Sequence, residues 1–63
     1  MSNDFGMLQN LEFLQNYEKT ISNLQDTAQY LTGEALAKNL EAQNAQLKTA
    51  QEIKQDIINA QLE

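Results

Sequence analysis

The chain has 63 residues, nine acidic and four basic side chains, and no His, Cys, Arg, Trp, Pro or Val. Without His or Cys it can form no disulfide, no thiolate or imidazole metal site and no His-activated nucleophile. A net charge of −5 provides no basic footprint for nucleic-acid phosphate or an anionic membrane surface, and a chain this short holds one domain at most, with little core of its own.

What remains is a helix-forming alphabet. Ala and Leu dominate the apolar residues, and both favour helix. Strand formers are scarce, and only Gly6 and Gly33 are natural helix breakers. Nine Gln and seven Asn interleave with the apolar positions instead of forming runs. That reads as a polar, weakly charged helix surface and not as a disordered amide tract. Amides also have a second use, since they can lace a helix–helix interface and fix its register.

Residues 1–4 read as a lead-in, with Ser2, Asn3 or Asp4 available to cap a first turn. From there Met7, Leu11, Leu14, Tyr17, Ile21, Leu24, Ala28, Leu31 and Ala35 recur at spacings of three and four, with an irregularity near Leu11. This predicts one apolar stripe along a helix of about residues 5–31. Phe5, Leu8, Phe13 and Tyr30 lie off that stripe and widen the apolar surface.

Thr32-Gly33-Glu34-Ala35 is the one plausible internal turn. Gly33 can adopt the left-handed conformation, Thr32 can cap a second helix, and Glu34 would sit near the positive end of that helix. The reading is a turn at 32–33 and a second helix over about 34–62. The two helices, each roughly 40 Å long at ~1.5 Å per residue, suit an antiparallel hairpin. The rival is a single long helix, because Leu14, Ile21, Ala28, Ala35 and Ala42 stay seven apart straight through Gly33.

Beyond Gly33 the apolar spacing changes. Leu36, Leu47 and Ile58 are 11 apart, and Leu40 and Leu62 are 22 apart. An 11-residue period gives a stripe that runs nearly straight, so the second helix is not expected to wind as a left-handed coiled coil along its whole length. Its apolar cover is thin between Leu40 and Ile53, where Ala fills most positions. Large aliphatics gather again at Ile53, Ile57, Ile58 and Leu62, which a hairpin would bring near Leu8, Leu11 and Leu14.

The expected fold is therefore an all-α, two-helix antiparallel hairpin forming a single helical unit over 1–63, completed by oligomerisation or a partner. The expected packing positions on the first helix are Leu11, Leu14, Ile21, Leu24 and Leu31. Those on the second are Leu36, Leu40, Leu47, Ile57 and Ile58, with Gly33 at the turn.

No chemistry-bearing constellation emerges. Glu52 and Asp56 form the nearest approach to a paired-carboxylate site, and they read as an ordinary exposed pair. No enzyme activity, cofactor, metal, small-molecule substrate or nucleic-acid partner is expected. Met-Ser-Asn-Asp-Phe-Gly lacks the basic start of a signal peptide, and no apolar run approaches the ~18 residues of a membrane span. A soluble chain is expected, with its location left open.

The stretch Leu31-Thr32-Gly33-Glu34-Ala35, together with Leu40, Leu47 and Glu52-Ile53-Lys54-Gln55, resembles the turn and second helix of WXG100-type secreted helical hairpins over about half of the chain. Leu31 stands where that family has Trp. A looser likeness is to hairpin subunits of secretion needles, whose Pro-containing turn is absent here. The functional expectation is a non-enzymatic structural or assembly subunit that packs through its apolar stripe in a homo-oligomer, virion or secretion-type assembly. Two alternatives stand beside it: a small acidic regulator that blocks one protein partner, and a WXG100-like secreted hairpin.

Overall fold

The computed structural model describes the backbone of residues 2–62 and the side chains of residues 5–61. Two helices, α1 (Ser2–Ala28) and α2 (Gly33–Leu62), pack against one another, and the described residues contain no strand. The molecule measures 49 × 14 × 11 Å. An unbroken helix of this chain would be about 95 Å long, so the chain folds back on itself and the single-rod alternative is excluded.

The boundaries differ from the sequence expectation in informative ways. Backbone helix begins at Ser2 and runs through Gly6. Capping by the side chains of Ser2, Asn3 or Asp4 lies outside the described residues. At the other end α1 stops at Ala28, three residues before the expected 31. There the backbone tightens: the amides of Gln29, Tyr30 and Leu31 donate to the carbonyls of Asp26, Thr27 and Ala28 at 3.4, 3.0 and 3.2 Å. These i→i+3 bonds satisfy carbonyls that the helix end would otherwise orphan.

The connection is therefore residues 29–32 and not 32–33. Gly33 carries a φ of 59° and opens α2. A left-handed φ is costly for any residue with a Cβ, which is why glycine stands at the reversal. The Leu36 amide donates to the Thr32 carbonyl at 3.4 Å, which starts the α2 ladder, and Glu34 lies in its first turn. The acidic side chain is thus near the positive end of the helix dipole. Glu34 also pairs with Lys38 at 3.5 Å.

Burial keeps to a strict heptad in both helices. In α1 the described side chains that are not exposed are Met7, Asn10, Leu14, Tyr17, Ile21, Leu24 and Ala28, at alternating spacings of three and four. Asn10, not Leu11, occupies the inner position, which removes the irregularity seen in the apolar pattern. In α2 the inner row is Leu36, Asn39, Gln43, Gln46, Ala50, Ile53, Ile57 and Ala60, again alternating three and four, with Ala42 and Thr49 beside it. Alternation of three and four is the seam of a left-handed two-helix packing.

The 11-residue apolar spacing therefore does not set the packing face of α2. Leu36 from that set is half-buried, but Leu47 and Ile58 are exposed, as is Leu40. The physical reason is the amides. Neutral carboxamides can enter a seam when their hydrogen bonds are met, and here they hold inner positions that an apolar count passes over.

Candidate functional site

The described residues contain no fully buried side chain, and four are buried at all: Ile21, Ala50, Asn39 and Gln43. Two of those four are polar. The Asn39 Nδ2 donates to the Leu24 carbonyl of α1 at 3.0 Å, and the Gln43 Nε2 donates to the Asn39 Oδ1 at 2.7 Å. The result is a chain of hydrogen bonds from α2 across the seam to the α1 backbone. No buried side-chain nitrogen or oxygen among the described residues lacks a partner. A hydrogen bond of this kind adds about 1 kcal/mol net, whereas a buried amide left unpaired costs about 1–3 kcal/mol. The ladder therefore penalises a slipped register more than it rewards the correct one.

Farther from the turn, Lys54 Nζ of α2 reaches Glu18 Oε2 of α1 at 3.8 Å, with both side chains about half exposed. This pair borders an open groove of about 230 Å³ between the helices. Its walls are Glu18, Ile21, Ser22 and Gln25 from α1, with Leu47, Ala50, Gln51 and Lys54 from α2. The groove floor is the seam itself at Ile21 and Ala50. Its rims are mostly uncharged.

The ten expected packing residues fall into three groups. Ile21 is buried in the seam. Leu14, Leu24, Leu31, Leu36 and Ile57 are half-buried along it. Leu11, Leu40, Leu47 and Ile58 are exposed at 39%, 47%, 39% and 48% and contribute little to the hairpin's own seam. Asn39, Gln43 and Ala50 were not among the expected packing positions, although the three–four alternation starting at Leu36 leads straight to them. Gln55 and Asn59 make the other kind of amide pair, a 3.0 Å bond on an exposed face, so both uses of amides occur in one helix.

Glu52 and Asp56 are both exposed, and no group of three acidic side chains comes together among the described residues. No helix among them is long and apolar enough to cross a membrane. No family model, curated protein or solved structure matches this chain.

Proposed function

We propose that this chain is a non-enzymatic assembly subunit whose work is done by contact along its apolar surface. One observation carries the reading: eight large apolar side chains are exposed, while Ile21 and Ala50 are the buried apolar residues among those described. A hairpin that hides so little and displays so much is poorly stabilised by itself, and exposed apolar surface on a small chain marks an interaction site. A homo-oligomer, a virion or a secretion-type assembly would all supply the missing cover. A second reading, a small acidic regulator that occupies one protein partner, draws support from the net charge of −5, which would steer the chain toward a basic surface.

The test is the size at which the chain travels in extract of its native source, by gel filtration with an antibody against the chain. Elution within a larger complex supports the assembly reading. Elution as a free chain of 7.1 kDa overturns it. The regulator reading requires instead a one-to-one complex with a different protein, visible as such by cross-linking and mass spectrometry.

A further inference from the structure

The exposed apolar residues are not scattered. Along α1, Leu11 lies in one seven-residue row with Glu18 and Gln25, and Leu8 lies in the row of Ser22. Glu18, Ser22 and Gln25 all line the groove. Along α2, Leu40 shares its row with Leu47 and Lys54, and Ile58 shares its row with Gln51. Leu47, Gln51 and Lys54 line the groove as well. Residues seven apart face the same way on a helix in heptad packing. Leu8, Leu11, Leu40, Leu47 and Ile58, five of the eight exposed large apolar residues, therefore extend the groove along one side of the hairpin. Phe13 belongs to the row of Thr20 and Thr27, which does not line it.

We infer that this groove face is closed by a second copy of the same chain, two hairpins forming a four-helix bundle. The inference rests on the assembly reading above and names its first partner. Charge favours a second copy: the groove walls carry one acid and one base, Glu18 and Lys54, already paired across the helices at 3.8 Å. Those walls are neutral, although the chain carries −5, so two copies meet along them without like-charge repulsion. A two-fold contact uses the same patch on both copies, and a neutral apolar patch is complementary to itself. A second hairpin laid on this face completes the usual antiparallel bundle.

Sedimentation equilibrium of the 63-residue chain tests the inference. The expected mass is twice the 7.1 kDa of one chain. Leu11→Glu with Leu47→Glu, both on exposed positions of the groove side, should return the mass to that of one chain, while Phe13→Glu leaves it doubled. A wild-type chain that stays monomeric at every concentration overturns the second-copy inference, and the complex in native extract then decides whether the assembly reading survives. A doubled mass lost in Phe13→Glu but kept in the double variant also overturns it, by moving the contact to another face. Where a variant loses its helical signal, spin labels on Gln51→Cys and on Thr20→Cys in otherwise unaltered chains give the answer. The distance between copies should be shorter from position 51 than from position 20, and the reverse order refutes this face.

Discussion

Next to the turn, α2 offers α1 two amides, Asn39 and Gln43. Beyond Ala50 it offers Ile53, Ile57 and Ala60. The first half of the seam is crossed by one directed hydrogen bond, from Asn39 to the Leu24 carbonyl, with Gln43 bracing Asn39 from within α2. The second half is held by apolar contact around Ile21 and Ala50, and apolar contact is nearly indifferent to sliding. The difference assigns separate tasks to the two halves. Near the reversal the seam specifies which residue faces which, and from Ile21 and Ala50 outward it relies on apolar contact.

The apolar half is the place to break the fold. Ile21 is 7% exposed and is the largest apolar side chain counted as buried. Ile21→Ala should cost about 3 kcal/mol, because it removes buried methyls and leaves a cavity against Ala50. A chain of 63 residues has a total stability of about 3–9 kcal/mol. Circular dichroism should therefore show a strongly lowered unfolding midpoint for this variant. A melting curve that matches the wild type would show that the seam near Ile21 is not the main store of stability.

The amide half should respond differently to two kinds of change. Asn39→Ala leaves the Gln43 Nε2 buried with no acceptor and should destabilise by about 2 kcal/mol. Replacing both amides, Asn39→Leu with Gln43→Leu, removes donor and acceptor together, so stability should hold or rise. The loss should appear instead in uniqueness. Spin labels placed on α1 and α2 should give one narrow distance distribution in the wild type and a broadened one in the double variant, as expected when a polar seam residue sets register. A distribution that stays narrow would move register control to the turn.

These two halves are unequally legible in the amino-acid sequence. The α1 stripe can be read almost entirely, from Met7 through Ala28, because its inner positions are mostly apolar. The pattern slips only where Asn10 holds an inner place and Leu11 stands outside. The reversal is legible because Gly33 is the residue that takes a positive φ without strain. The end of α1 is not, because the three i→i+3 bonds that close it need no special side chain. The α2 seam escapes an apolar count because Asn39, Gln43 and Gln46 sit inside while Leu40, Leu47 and Ile58 sit outside. Between Leu36 and Ile53, hydrophobicity alone then reports the groove side and not the seam. A search for three–four alternation that admits amides recovers the seam, and the apolar residues it leaves over are the exposed Leu40, Leu47 and Ile58.

The turn itself gives a smaller, cleaner effect. Apart from its chain neighbours and the adjacent helix backbone, nothing lies within 4 Å of a Cβ built on Gly33, so Gly33→Ala meets no packing obstacle and reports backbone strain. At a φ of 59° the cost should be about 1 kcal/mol. Thermal unfolding should show a lowered midpoint with the spin-label distances between the helices unchanged. A chain that opened into a longer helix on this substitution would show that the hairpin depends on glycine more than on its seam.

The smallest effect is expected at the ion pair that crosses the groove. Glu18 and Lys54 stand 3.8 Å apart with each side chain about half exposed, a geometry in which solvent screens most of the attraction. Such pairs contribute a few tenths of a kcal/mol at most. Lys54→Gln should shift the unfolding midpoint barely beyond error in dilute buffer. The shift should vanish near 1 M salt, where the screening length falls to about 3 Å. Neither the amide ladder nor the Ile21–Ala50 floor involves a charge, so the same salt should leave the Asn39→Ala and Ile21→Ala differences intact. If salt instead erased the Asn39→Ala effect, charge would be helping to hold the register, and the division of labour between the two halves of the seam would have to be redrawn.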